Sequence, residues 1–213
     1  MRASSLLTAE RPAVMARLRA ATREHHHALD HHPELQRLVL PGLNRQGYAS
    51  SLAAMRGPHA ALEAAVWQGG QALGLTHTLS PRRVPRLRAD LQLLGNEPEG
   101  ESHPGSDRAG QDAAGADLYS FPTVTCPAQL LGLRYVLEGS RLGGEVLARA
   151  IRRALGDDAP VTFLADGEAN HHWQALCAHA ERELVTQAQQ RRAIVAAQAA
   201  FTGYRAGLSG SDP

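Results

Sequence analysis

The sequence reads as a single all-α domain of six or seven main helices. Apolar residues recur at steps of three and four through long stretches, and no run alternates apolar and polar residues as a half-buried strand would. Most of these stretches also open on an Asn, Ser or Thr able to cap a helix. With 213 residues, the chain can bury one sizeable core, and it is short for two.

The first stripe runs between about Pro12 and Asp30. Met15, Leu18, Thr22, His26 and Leu29 share one face there, expected to be the inward one. Asn44 caps the next helix, with Tyr48, Leu52, Met55, His59, Leu62 and Val66 inward and a kink expected at Gly57-Pro58. Ser80-Pro81 reads as the start of a third, burying Val84, Leu87, Leu91 and Leu94. The polar, acidic, Gly/Pro-rich segment 96–117 interrupts the pattern and reads as a mobile loop inside the domain. Thr125 and Pro127 then open a long helix to about Leu155. Another spans about Glu168 to Leu184, and Thr186 caps a last one ending near Gly207. Residues 1–11 and 208–213 are expected to be flexible ends of a single domain covering 1–213.

Charge and composition exclude several classes. Lys+Arg 22 against Asp+Glu 21 leaves no electrostatic footprint for nucleic acid. No stretch approaches the roughly 20 apolar residues of a membrane span, and MRASSLLTAERPAVM has acid and proline where a signal peptide needs an apolar run. Two cysteines, Cys126 and Cys177, are too few for a disulfide framework. A cytoplasmic protein is expected. Every basic residue is arginine, so an anion site here must use guanidinium, backbone N–H or histidine.

Two segments carry chemistry. In LRAATREHHHALD, Leu18–Asp30, His26 lies on the apolar stripe. A neutral imidazole there suits axial iron ligation, or is a satisfied core histidine. His27 and His31, spaced i and i+4, suit a transition metal on another face, or a solvated helix end. In YVLEGSRLGGEVL, Tyr135–Leu147, three glycines interrupt a strongly helical pattern, each costing roughly 1 kcal/mol against alanine. Gly139 and Gly143, one turn apart, clear a face of side chains. That lets a flat or bulky group approach the backbone, or lets two helices pack closely. His171, His172 and His179 have the spacing of a solvated helix surface rather than a metal cluster.

Taken together and in this order, LRxATxxxH and YVLEGSxLGG resemble the bacterial haem oxygenases that make biliverdin. The likeness continues through GEANHHWQALCAHAE and AIVAAQAAF, over most of residues 14–207. It implies a helical bundle with haem between a proximal and a distal helix, and an O2-dependent opening of haem b to biliverdin, CO and iron. By the resemblance His26 is the proximal iron ligand, four residues after the motif threonine. Gly139, Ser140, Gly143 and Gly144 would form the catalytic distal face, leaving room for O2 and ordered water. Ser140 stands where some members carry aspartate, so the distal proton network must be built differently. Arg19, Arg23 and Arg134 are the candidates for the haem propionates, and Phe201 for the haem edge. Gln174 and Ala178 follow Trp173 where many relatives carry cations.

The reaction implies external electrons from a ferredoxin or an NAD(P)H-dependent reductase, since the chain has no dinucleotide fingerprint. Arg149, Arg152 and Arg153 could dock such a donor or simply stabilise the helix end. The biliverdin could serve a bacteriophytochrome. A haem-sequestering protein of the same fold is the alternative function. A non-haem metal enzyme is a third, with Glu24, His27 and His31 its only local trio.

Overall fold

A computed structural model describes residues 14–95 and 119–210. It is all helical there, in the order α1 (Val14–Asp30), α2 (Pro33–Arg37), α3 (Arg45–Ala72), a 3-10 turn (Thr76–Thr78), α4 (Val84–Leu94), α5 (Pro127–Leu155), α6 (Ala169–Glu183) and α7 (Gln187–Ser209). The expected flexible start and the loop at 96–117 lie outside the described residues. The expected flexible tail does not begin at 208: α7 continues to Ser209 with Leu208 buried against the core. Among the described residues, no helix is long and apolar enough to cross a membrane.

α5 is the central element. Its buried run Leu130 to Glu138 is covered on all sides, which fits a helix apolar around most of its circumference. It approaches α7 so closely that a Cβ on Gly132 would lie 2.3 Å from the Ala193 carbonyl oxygen. α1 is tied across α7 as well, Arg17 Nη1 donating to Gln190 Oε1 at 2.7 Å and Gln198 Nε2 to the Ala21 carbonyl at 2.8 Å. Asn44 and Thr186 cap α3 and α7 as their residue types predict, Thr186 in a reciprocal capping box with Gln189. Cys126, rather than Thr125, is the N-cap of α5, and Thr125 instead bonds the side chain of Gln129 through both its N–H and its hydroxyl. α3 runs on through Pro58.

The third helix starts three residues later than Ser80-Pro81 implies, and the cause is a buried carboxylate. Arg83, the N-cap of α4, makes no side-chain cap of its own. Glu63 from α3 caps the helix from outside, accepting the Arg83 N–H at 2.6 Å and the Val84 N–H at 3.4 Å. Glu63 is also paired with the buried His59, 3.2 Å away. Burial alone would raise the Glu63 carboxyl, but the His59 hydrogen bond and the Arg83 N–H and charge hold it at about 2. Burial pushes His59 below its ordinary 6.5, with the Glu63 hydrogen bond opposing.

This cluster continues to α5 and the segment before α6. Arg141 pairs with Glu138 at 2.8 Å and with Asp166, and donates to the Pro81 carbonyl at 2.5 Å. Asp90 on α4 holds the same segment, accepting from Thr162 Oγ1 at 2.7 Å and from the Phe163 N–H at 2.8 Å. Removing one partner strands the other charge away from water. Glu63→Ala is therefore expected to cost about 3–5 kcal/mol in denaturant unfolding.

Acid should act in two stages. The depressed His59 means that the unfolded chain takes up a proton first, so stability starts to fall below its ordinary 6.5. The depressed Glu63 contributes stability that is full above its ordinary 4.5 and is lost as pH falls from there towards about 2. Unfolding midpoints measured across this range test both signs.

Candidate functional site

A cleft of about 440 Å3 lies between α1, α5 and α6, lined by Met15, Ala16, Arg19, Ala20 and Arg23, by Tyr135 and by Trp173. Its size falls in the usual range for small-molecule sites, about 300–1,000 Å3. Residues 16, 19, 20 and 23 share a face because a helix returns to the same side every three or four residues. Arg19 and Arg23 are exposed there, and neither meets a carboxylate among the described residues.

His26 extends this face, three residues beyond Arg23 and seven beyond Arg19. It is not inward, as its stripe with Leu18 and Thr22 implied. Leu18 is 2% exposed, whereas the His26 side chain is 60% exposed. Its Nδ1 sits 2.7 Å from Asp30 Oδ2 one turn on, which leaves Nε2 without a partner among the described residues. A carboxylate on one ring nitrogen fixes the tautomer and makes the other nitrogen a better metal ligand. The ring meets Phe201 edge-on at 5.7 Å.

His25 stands elsewhere. It lines a second, 250 Å3 pocket with Glu24, Ala28, Phe201, Thr202 and Arg205, and its Nδ1 is buried without a hydrogen-bond partner. His27 and His31 stack at 4.0 Å with His31 Nδ1 on the His27 carbonyl. Among the described residues, no group of three or more His, Cys, Asp or Glu is placed to hold a metal ion.

On α5, beyond Tyr135, the glycines divide by environment. A Cβ on Gly139 would make only an ordinary 3.7 Å contact with Trp173, and one on Gly143 would meet nothing within 4 Å. Gly144 is different: a Cβ there would come within 2.6 Å of the Leu164 carbonyl oxygen. Gly139 and Gly143 therefore bare the helix towards open space, and Gly144 lets it pack. Ser140 is exposed between them.

Tyr135, one turn before Gly139, reaches from α5 to α1, its hydroxyl 3.4 Å from Thr22 Oγ1, and its ring lies 5.6 Å from Trp173. Sequence reasoning gave Tyr135, Trp173 and Met15 no role in the site. Tyr135 stands four residues before Gly139, on the same helical face, and that spacing was the available signal.

Arg134 does not join Arg19 and Arg23. It is 2% exposed and its Nη1 donates to Thr78 Oγ1 at 3.2 Å and to His179 Nδ1 at 3.0 Å. A guanidinium can only donate, so His179 Nδ1 accepts; burial, and then the adjacent Arg134 charge, pushes the His179 imidazole below its ordinary value. This pairing also removes His179 from any metal cluster with His171 and His172, whose rings lie 5.8 Å apart.

The α1 wall of the cleft thus carries two guanidiniums that meet no carboxylate among the described residues, with His26 further along the same helix face and a bare stretch of α5 beyond Tyr135. A planar, apolar, metal-bearing group with anionic substituents fits those elements together. Alanine substitutions separate the glycines physically. Gly139→Ala and Gly143→Ala are expected to stabilise the free protein by up to about 1 kcal/mol, since they lift a helix penalty without a clash. Gly144→Ala is expected to destabilise by about 1–3 kcal/mol through overpacking. Denaturant unfolding of the three variants checks this.

Comparison with known proteins agrees. The Heme oxygenase family model matches residues 13–209. A protein named Heme oxygenase from Xanthomonas campestris pv. campestris is 34% identical over 131 residues, 60% of this chain and 68% of that one. The solved heme oxygenase of Leptospira interrogans superposes with a TM-score of 0.70 at 19% identity, covering 93% of this chain and 99% of that one. Heme oxygenase-1 from Synechocystis, solved in complex with heme, gives 0.65 at 16% identity, covering 93% and 91%. These likenesses to solved structures establish the fold.

Proposed function

The chain belongs to the haem oxygenase family, and from that premise we propose that it seats haem b in the α1/α5 cleft, with His26 as its iron ligand, and opens it there. The activity is oxidative cleavage of haem, which yields biliverdin, CO and iron. Two observations support the site: the open space over Gly139 and Gly143 on α5, and the cleft wall on α1 that bears Arg19 and Arg23, with His26 further along the same helix face. A Cβ at Gly143 would enter the volume that the substrate and O2 need.

Haem, when bound, supplies the redox iron for O2 chemistry and the ring that is cut. The residues of the chain do the rest. His26 presents Nε2 while Asp30 holds Nδ1. Arg19 and Arg23 would hold the propionates through charge-assisted hydrogen bonds. Arg134 is withdrawn from that role because Thr78 and His179 already take its guanidinium. Gly139 and Gly143 would leave the opposite face to O2 and ordered water. Phe201 packs against His26 and steadies its ring.

The electrons come from outside, from a ferredoxin or an NAD(P)H-dependent reductase, and the cytoplasm is the compartment for that exchange. The biliverdin formed is of use to a bacteriophytochrome. Arg149, Arg152 and Arg153 are all exposed at the end of α5 and form the docking surface for an acidic donor.

Mixing the protein with hemin tests the ligand. A sharp Soret band is expected in the wild type and loss of histidine ligation in His26→Ala, with helical content unchanged. Loss in His25→Ala instead would move the ligand into the Phe201–Arg205 pocket. Decay of that band into biliverdin absorbance with ascorbate separates an oxygenase from a haem-sequestering protein. Gly143→Val should retain haem and lose turnover by at least tenfold. Charge reversal at Arg149 and Arg153 should slow ferredoxin-driven turnover, the more so at low salt, while leaving ascorbate-driven turnover as it was. Equal loss in both assays would remove the docking role.

A further inference from the structure

The glycine-bearing turn of α5 is mechanically weak. Three glycines within six residues each cost a helix roughly 1 kcal/mol against alanine, and at Gly143 nothing among the described residues outside its own stretch of helix packs within 4 Å of where a side chain would begin. A helix segment with few packed neighbours opens readily unless something else restrains it.

The residues between the glycines supply that restraint. Ser140 Oγ donates to the Leu137 carbonyl at 2.6 Å and accepts from Arg83 Nη2 at 2.5 Å. Arg141, the next residue, is anchored to Glu138, Asp166 and the Pro81 carbonyl. Both holds reach the segment leading into α4, which Glu63 fixes through the Arg83 N–H.

Arg83 is an unusual partner for an exposed hydroxyl. It is 1% exposed, with its guanidinium carbon 5.0 Å over the Phe163 ring. Among the described residues, its guanidinium bonds only neutral oxygens: Ser140 Oγ, the Phe163 carbonyl at 3.4 Å and the Leu137 carbonyl at 3.5 Å. Arg141 already carries the ion pairs that hold α5 to Asp166. The charge of Arg83 is balanced at a distance by Glu63 and Glu138, but its guanidinium forms no direct ion pair among the described residues, so it adds little to that anchorage and is costly to bury. Its shortest bond, to Ser140, is what it adds.

We propose that Arg83 is a positioning residue of the distal helix. Clamping Ser140 from behind, it sets where the glycine-bearing turn stands across the cleft, and so which edge of the haem ring is presented for cleavage. The consequence for cleavage rests on the haem reading above. The clamp itself does not, and can be tested without haem.

Amide hydrogen exchange of the haem-free protein reads the clamp. In Ser140→Ala the amides of residues 139–145 should exchange about tenfold faster, equivalent to about 1.4 kcal/mol, while α1 and α7 keep wild-type rates. Ser140→Thr retains the hydroxyl and should restore protection. Arg83→Lys, which loses the planar fork, should behave like Ser140→Ala. If that buried substitution fails to fold, the exposed Ser140 variants decide alone. In the haem-loaded protein, Ser140→Ala should broaden the distribution of biliverdin isomers relative to wild type.

Wild-type exchange rates in Ser140→Ala would overturn the clamp. Faster exchange with an unchanged isomer distribution would overturn its role in choosing the cleavage site. A wild-type protein that binds no hemin would overturn the haem reading, leaving the exchange rates to judge the clamp.

Discussion

The pairing of Arg141 with Glu138 and Asp166, buried behind α5, is the interaction on which the cleft depends. A helix cannot be bare on one side and held by side chains on that same side. The front of α5 at Gly139 and Gly143 gives up its contacts, so its place must come from the back. There Arg141 reaches Asp166 and Pro81, and Gly144 rides on the Leu164 carbonyl. The buried charges are expensive to desolvate, and their value lies in fixing one arrangement of helices rather than in net stability.

The same cluster explains why α3 and α4 belong to the site although they line none of the cleft. Glu63 caps α4 from α3, Arg83 passes from that cap to Ser140, and Asp90 returns from α4 to Phe163. The cleft face and the charge cluster are two sides of one helix. Movement at either side is felt at the other, because packed interiors rearrange in discrete steps rather than deform smoothly.

Much of this was legible in the sequence where the signal is local. Helical spacing located the long helices, and Asn44 and Thr186 cap as their chemistry requires. Gly139 and Gly143 were readable as a bare face from their separation by one turn. Long-range facts were not. Nothing in the spacing of Arg134 says that Thr78 and His179 lie within its reach, or that Glu63 will cap a helix twenty residues on. Gly144 looks like its neighbours until Leu164 is placed against it. α2 is too short for a periodic signal, although His32 caps it through its side chain and Pro33 opens it. His26 appeared inward because an apolar stripe and a cleft face are adjacent on α1, and a shift of one step around the helix separates them.

A crystal structure of the ferric haem complex tests the central claim most directly. The account predicts iron on His26 Nε2, with Gly139 and Gly143 across the opposite face and the propionates directed to Arg19 and Arg23. Iron on His25, with haem in the pocket lined by Phe201, Thr202 and Arg205, would contradict it.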